Sequence, residues 1–194
     1  MQHKPRTIGV LALQGAFAEH LRVVRQCGWE AVEVRKPEQL AAIEGLIIPG
    51  GESTTIGILL DKFGLIEPLE RRVAAGMPIF GTCAGLILLA REIVGSRQVR
   101  LGWMDITVRR NWYGRQVDSF EADLEIPCLG GEPFRGVFIR APLIEAVGPA
   151  VSVLAEHEGH PVLARQGRLL VSSFHPELTA DSRIHEYFVG MIED

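Results

Sequence analysis

Short apolar runs alternate with amphipathic stretches along the first half of the chain. Residues 7–13 form a β-branched and apolar run, which is typical of a strand buried on both faces of a parallel sheet. Residues 16–27 repeat apolar side chains at helical spacing, and Gly28 closes this predicted helix. The alternation continues with strands predicted at 31–34, 45–48 and 78–82, a short helical crossover at 37–42, and helices at 54–63, 66–75 and 85–90. This order predicts a doubly wound α/β fold, with a mostly parallel sheet flanked by helices.

The second half of the chain has a different pattern. Residues 109–115 are polar and aromatic, and they are predicted to form a loop between antiparallel strands at 106–108 and 119–124. The sequence therefore predicts an antiparallel ribbon appended to the main sheet. Further strands are predicted at 137–140, 151–155, 161–164 and 169–173, followed by a closing helix at 182–191. Because the chain shows no repeat and no interdomain linker, residues 1–194 are expected to form a single domain.

Composition and charge indicate which kinds of binding partner the sequence disfavours. The 194 residues are 47% apolar and 23% charged, which is ordinary for a globular protein. The formal charge is −4, and the densest basic cluster, Arg109, Arg110 and Arg115, is too small for a nucleic-acid surface. No signal or membrane-spanning segment is evident, and three cysteines without framework spacing fit a reducing compartment. We expect a cytoplasmic protein without nucleic-acid or membrane partners, in which Cys27 and Cys128 are structural.

Cys83 is the candidate nucleophile, because it lies at a predicted strand-to-helix turn. Gly81 and Gly85 flank it in the pattern G-x-C-x-G, the thiol counterpart of the G-x-S-x-G elbow of hydrolases. Small neighbours allow a sharp turn, and the following helix directs N–H groups towards the sulfur and a developing oxyanion. The alternative is a buried structural cysteine, which the flanking glycines and the elbow position disfavour.

A glycine pair provides a second candidate oxyanion donor. Gly50 and Gly51 end a predicted strand in the sequence P-G-G-E-S, where glycine can turn an N–H into the crevice at the carboxyl edge of the sheet. The sequence lacks the G-K-[ST] of a phosphate-binding loop. A plain tight turn remains the alternative interpretation of this motif.

His175 and Glu177 follow another predicted strand, in the tripeptide H-P-E. Proline disfavours helix at the residue before it, so we expect an extended tripeptide whose first and third side chains point to the same side. The imidazole then serves as a general base, and the carboxylate orients it and stabilises its protonated form. Neither His157 with His160 nor His3 with His20 has metal-ligand spacing, so no metal or cofactor is expected.

These motifs resemble those of the glutaminase subunits of pyridoxal 5′-phosphate synthase, a family of class I (triad) glutamine amidotransferases. The resemblance runs nearly end to end and rests on six motifs: L-A-L-Q-G at 11–15, P-G-G-E-S-T-T at 49–55, G-T-C-A-G at 81–85, G-R-Q-V-D-S-F-E at 114–121, F-I-R-A-P at 138–142 and F-H-P-E at 174–177. It implies a flavodoxin-like fold of the amidotransferase type. It also implies a partner, a synthase subunit with a (β/α)8 barrel that consumes the ammonia.

The resemblance also assigns residue roles. Cys83, His175 and Glu177 are implied to form the triad, and Gln14 to lie at the subunit contact, where it helps to orient the Gly-Gly peptide. The residues implied to hold L-glutamine are Gly51, Glu52, Ser53, Arg110, Ile139 and Arg140. Our leading hypothesis is a glutaminase that forms a γ-glutamyl thioester at Cys83, with the oxyanion held by N–H groups of Ala84 and of the Gly50/Gly51 turn.

Two other classes of protein stay open at this stage. One is a cysteine peptidase or another acyl hydrolase on the same scaffold, and the other is a non-catalytic binding module that keeps the fold. A regulatory hypothesis accompanies the glutaminase hypothesis: because the glycine pair can adopt two peptide orientations, the isolated chain is expected to be a poor glutaminase until its partner docks.

Overall fold

Twelve strands and five helices are assigned in a computed structural model of the protein, which describes residues 6–110 and 119–193. The strands are β1 (Thr7–Leu11), β2 (Glu30–Val34), β3 (Gly45–Ile48), β4 (Ile79–Thr82), β5 (Ala90–Ile93), β6 (Met104–Arg109), β7 (Ser119–Leu124), β8 (Phe134–Ile139), β9 (Leu143–Val147), β10 (Ser152–His157), β11 (His160–Gln166) and β12 (Leu169–Ser172). The helices are α1 (Phe17–Gln26), α2 (Ser53–Lys62), α3 (Ile66–Ala74), α4 (Ala84–Leu89) and α5 (Arg183–Glu193). Short 3₁₀ turns cover Pro37–Ala42, Pro127–Leu129 and Pro176–Leu178. None of the described helices has the length and apolar composition needed to cross a bilayer.

The main sheet has the strand order β10-β11-β12-β4-β3-β1-β2. Strands β2, β1, β3, β4 and β12 run parallel, whereas β11 and β10 add an antiparallel edge. The doubly wound, mostly parallel fold expected from the sequence is therefore confirmed. From β1 the chain adds β2 on one side and β3 on the other, which opens a crevice beyond the carboxyl ends of β1 and β3.

The central strands are apolar throughout because both faces of the sheet are covered. In β3, Leu46 and Ile48 pack into one apolar cluster, and Ile47 between them packs into the other. Helices α2, α3 and α4 supply the first cluster, whereas α1 and α5 supply the second. The carboxyl ends of the strands are thereby held rigidly between two layers of helices.

The antiparallel ribbon is confirmed, but its strands pair differently from the prediction. β7 pairs with β8, whereas β6 belongs to a separate three-stranded sheet with β5 and β9. The predicted strands at 106–108 and 119–124 are therefore not partners. β5 and β9 were not predicted, because β5 follows α4 without a turn signal and most of β9 is exposed. The predicted loop at 109–115, with Arg115, and the motif at 114–121 fall largely on residues 111–118, outside the described residues.

Close packing of α4 on β3 makes Gly85 sensitive to substitution. A Cβ atom at Gly85 would overlap the Ile48 carbonyl oxygen, whereas one at Gly190 in α5 would meet no atom within 4 Å. We expect Gly85→Ala to lower the free energy of unfolding by about 1–3 kcal/mol, because the strand backbone cannot give way. Gly190→Ala should leave it unchanged or raise it by up to about 1 kcal/mol, as expected for alanine in a helix.

Urea unfolding of the two variants and the parent chain, followed by circular dichroism, measures both effects. Equal free energies of unfolding for Gly85→Ala and Gly190→Ala would contradict the close packing of α4 on β3.

Candidate active site

One cleft collects loops from the carboxyl ends of the parallel strands. Its volume is about 260 Å³, below the roughly 300–1,000 Å³ of pockets for drug-sized ligands, as suits an amino acid. The lining residues come from the end of β8, from the first turns of α2 and α4, and from the loops after β1, β3, β4, β6, β8 and β12: Gly15, Ala16, Gly50, Gly51, Glu52, Ser53, Cys83, Ile87, Arg110, Ile139, Arg140, His175 and Leu178. Cys83 and His175, far apart in sequence, thus face the same cleft. All six residues predicted to hold a substrate also line it.

Cys83 occupies a strained turn between β4 and α4. Its φ of 48° and ψ of −97° lie in a region that non-glycine residues rarely adopt, at a cost on the order of 1–3 kcal/mol. The Cys83 N–H donates to the Ser172 carbonyl oxygen at 2.8 Å, which ties the turn to β12. A Cβ atom at Gly81 would lie 2.7 Å from the Gly85 carbonyl carbon, so the predicted elbow needs glycine there. The sulfur lies 3.9 Å from the Ile139 carbonyl oxygen.

His175 and Glu177 form a buried pair, although the backbone between them is not extended as predicted. Residues Pro176–Leu178 form a 3₁₀ turn, because proline restricts the residue before it but is itself favoured at the first helical position. The His175 Nδ1–H donates to Glu177 Oε1 at 2.7 Å. The expected contact is therefore present, reached through a turn rather than through alternation along a strand.

The pair has strongly shifted pKa values. Burial lowers the pKa of His175, but hydrogen bonds with the Cys83 and Glu177 side chains outweigh it and raise this pKa to about 10. Burial raises the pKa of Glu177, but the neighbouring His20 and the hydrogen bond from His175 outweigh it and lower this pKa to about 2. The environment therefore favours the imidazolium form of His175 beside an ionised Glu177 carboxylate. Such a ring can deliver a proton to a leaving group.

Gly50 and Gly51 pass so close to their neighbours that side chains do not fit. A Cβ atom at Gly50 would lie 3.0 Å from His175 Nδ1 and 3.4 Å from Cys83 Cβ. The Gly50 carbonyl oxygen accepts a hydrogen bond of 2.9 Å from the Ala16 N–H. Because a trans peptide directs its carbonyl and its N–H to opposite sides, the Gly51 N–H points away from Ala16.

Gln14 supports the same turn from the loop after β1. Its Oε1 accepts a hydrogen bond of 2.7 Å from the Glu52 N–H, and a Cβ atom at Gly51 would lie 2.5 Å from this oxygen. The side chain predicted to orient the glycine pair therefore contacts it directly.

A polar cluster of Glu52, Ser53, Gln98 and Arg110 lies at the cleft, and all of its members except Gln98 line it. Arg110 donates to Glu52 Oε1 at 3.0 Å and to Gln98 Oε1 at 2.8 Å. Gln98 Oε1 also accepts from the hydroxyl of Ser53 at 3.2 Å. Glu52 in turn accepts from the Thr55 N–H at the start of α2. Gln98 was not predicted, because it lies in an irregular segment without a motif and meets Arg110 only in the folded chain.

Arg140 follows β8 with a φ of 42°, and Ile139 ends the strand with its carbonyl oxygen 3.9 Å from Cys83 Sγ. Neither Cys27 nor Cys128 lines the cleft. Burial raises the pKa of the Cys27 thiol to about 11, which disfavours its thiolate.

No group of three or more His, Cys, Asp or Glu side chains within residues 6–110 and 119–193 is arranged to hold a metal ion.

The lowered pKa of Glu177 predicts how stability depends on pH. In the folded state this pKa is about 2, against an ordinary value of 4.5. The lowered pKa stabilises the fold above pH 4.5, by roughly 1.4 kcal/mol for each pKa unit of the shift. This contribution is lost as pH falls towards 2, because the unfolded carboxyl takes up a proton first. We expect Glu177→Gln to be less stable at neutral pH and to lose less stability on acidification.

Urea unfolding at a series of pH values from neutral downwards measures this difference. Glu67→Gln, which removes an exposed ion pair with Arg71, is the matched control and should follow the parent chain. Parallel pH profiles for the parent chain and Glu177→Gln would contradict the assignment of an ionised buried carboxylate.

Comparison with known proteins identifies the family of the chain. The profile of the SNO glutamine amidotransferase family matches residues 10–194. A pyridoxal 5′-phosphate synthase subunit PdxT from Pelotomaculum thermopropionicum is 65% identical over 182 residues, which cover 94% of this chain and 93% of that protein. The subunit of the same name from Desulforudis audaxviator is 60% identical, with coverage of 96% and 98%.

Solved structures show the same fold. A glutamine amidotransferase crystal structure superposes with a TM-score of 0.92 at 52% identity and covers 96% of this chain and 99% of its own. Another glutamine amidotransferase, from Thermotoga maritima, shares the fold at a TM-score of 0.61 and 15% identity, with coverage of 98% and 85%. On the extent of these matches, the chain belongs to the SNO glutamine amidotransferase family.

Proposed function

We propose that this chain is the glutaminase subunit of a pyridoxal 5′-phosphate synthase, which hydrolyses L-glutamine to L-glutamate and supplies ammonia to a synthase subunit. The observation that carries the proposal is the cleft itself, in which a thiol on a strained turn and a buried His–Glu pair face one another across Gly50. The names of the relatives, pyridoxal 5′-phosphate synthase subunit PdxT, support the same activity.

In the proposed reaction, the Cys83 thiolate attacks the carboxamide carbon of glutamine, and a C–S bond forms while the carbonyl electrons move to oxygen. N–H groups of Ala84 and Gly51 hold the oxyanion; the Cys83 N–H is already committed to Ser172. His175 gives its proton to the leaving nitrogen, the C–N bond breaks, and ammonia leaves a γ-glutamyl thioester. Water then attacks the thioester and gives a proton to His175 as the base, and the C–S bond breaks to release glutamate and regenerate the Cys83 thiolate.

The polar cluster suits the α-carbon end of glutamine. The Arg110 guanidinium matches an α-carboxylate, and the Glu52 carboxylate matches an α-ammonium. Since these two side chains pair with each other at 3.0 Å, one zwitterion can satisfy both of them. Ser53, Ile139, Arg140 and the backbone of Gly51 complete the proposed substrate contacts.

The partner is proposed to be a synthase subunit with a (β/α)8 barrel, which docks over Gln14. The hydrogen bond from the Glu52 N–H to Gln14 Oε1 supports this role, because it links the proposed contact to the glycine turn. We further propose that residues 1–194 act as one domain in the cytoplasm. The pairing of β12 with β4 in the main sheet supports a single domain, since it joins distant parts of the chain.

Replacing the nucleophile tests the proposal. We expect Cys83→Ala to lower ammonia release from glutamine by at least about 1,000-fold with the synthase subunit present, because no other group forms the thioester. Cys27→Ala, the matched control, should retain the parent rate. Substantial glutaminase activity in Cys83→Ala would refute the mechanism, and cleavage of peptides by the parent chain would favour a peptidase instead.

Adding the partner tests the role of the glycine turn. Glutamine hydrolysis by the isolated chain should be slow and should rise when the synthase subunit is added, because docking at Gln14 sets the Gly50–Gly51 peptide. In Gln14→Ala this rise should be smaller, whereas Gln26→Ala, at an exposed position of α1, should behave like the parent. Equal rates with and without the partner would refute this regulation.

A further inference from the structure

A set of buried polar side chains, His20, His185 and Thr82, lies behind the triad, on the side of Glu177 that does not contact His175. Glu177 is fully buried; its Oε1 contacts His175 Nδ1, and its Oε2 lies 3.4 Å from Nε2 of His20. Among residues 6–110 and 119–193, Oε2 has no hydrogen-bond partner, and His20 Nε2 at 3.4 Å lies within ion-pair distance of it. A buried carboxylate oxygen without a donor is costly, so the protonation of His20 Nε2 decides how well this anion is held.

His20 is itself fixed from two sides. Its Nδ1 lies 2.9 Å from His185 Nε2 on α5, and its Nε2 lies 3.1 Å from the hydroxyl oxygen of Thr82, the residue before Cys83. Both imidazoles have no exposure to water. The Phe80 ring packs edge-on against both of them, at interplanar angles of 81° and 79°. Their ring planes are therefore determined by packing.

The contacts select one tautomer for each ring. If His185 Nε2–H donates to His20 Nδ1, then His20 carries its proton on Nε2 and presents a donor to Glu177 Oε2 and Thr82. The remaining nitrogen, His185 Nδ1, is buried without a partner among residues 6–110 and 119–193. In this arrangement it carries a lone pair and no proton. In the opposite arrangement His185 Nδ1 would carry a buried N–H without an acceptor, and His20 Nε2 would turn a lone pair towards the Glu177 carboxylate. Both features cost more free energy than the first arrangement.

Burial favours the neutral form of both His20 and His185. Burial lowers the pKa of His20, and it outweighs the neighbouring Glu177 and Glu19 carboxylates, which raise it. Burial also lowers the pKa of His185 to about 3, and the nearby His20 acts in the same direction. Arg22 donates to the Glu177 backbone oxygen at 3.2 Å rather than to its carboxylate. The donor to Oε2 is thus a neutral N–H.

We propose that His20 is a positioning residue of the triad, which His185 holds as the Nε2–H tautomer so that it donates to Glu177 Oε2 and fixes the carboxylate against His175. This inference rests on the proposed glutaminase activity and adds a residue to it. His20 does not line the cleft, so its loss should impair proton transfer by His175 and leave glutamine binding intact.

Two variants separate positioning from packing. His20→Gln keeps an N–H donor near the place of Nε2, whereas His20→Leu fills the site without one. With the synthase subunit present, we expect His20→Leu to lower kcat about 10- to 100-fold with KM within about threefold of the parent value. His20→Gln should recover most of kcat. Equal losses of kcat in both variants, or a loss confined to KM, would overturn the proposal.

A second experiment, which needs no activity assay, determines which imidazole nitrogens of His20 and His185 carry protons in the parent protein. Imidazole ¹⁵N chemical shifts distinguish nitrogens that carry a proton from those that do not. We expect protons on Nε2 of His20 and of His185 and none on either Nδ1; an unprotonated His20 Nε2 would overturn the proposal even if His20→Leu failed to fold. A parent chain that did not hydrolyse glutamine would refute the glutaminase function alone, since these shifts do not depend on it.

Discussion

A carboxylate without access to water, that of Glu177, is the constraint on which the arrangement of the site depends. Left alone, such a group would take up a proton or expel the turn that carries it. The His175 Nδ1–H at 2.7 Å and the nearby His20 ring hold it ionised instead. Because these partners come from the loop after β12 and from α1, one buried charge fixes the positions of two distant segments around the cleft.

Cys83 is held in place by a different kind of constraint. Cys83 sits in an unfavourable backbone conformation, which the surrounding structure maintains through the hydrogen bond to Ser172 and the close contact of Gly81 with Gly85. Strain of this kind persists only where packing determines it, and it directs the side chain into the cleft. The rigid sheet between two helical layers supplies that packing, whereas the proposed substrate contacts come from the ends of β8 and α2 and from the loops around the cleft.

Much of this could be predicted from local sequence. The runs that became β1, β3 and β4 are apolar because both faces of the sheet are covered, and their pattern shows this directly. The meeting of Cys83 and His175 followed from the rule that parallel strands share one carboxyl edge. The partners of β6 could not be predicted, because its alternation fits several pairings equally well. Gln98 and His20 were also missed as site residues: their roles depend on contacts such as that between His20 and His185, which are 165 positions apart.

The place of β12 in the sheet has a consequence for the order in which the molecule is completed. This strand inserts between β4 and β11, and its Ser172 carbonyl oxygen closes the hydrogen bond that supports Cys83. During translation, the thiol and its glycine turn leave the ribosome long before the strand that steadies them and the imidazole that follows it. A nascent chain therefore carries the Cys83 thiol before His175 can face it, and the cleft is complete only when the final strand of the parallel sheet is in place.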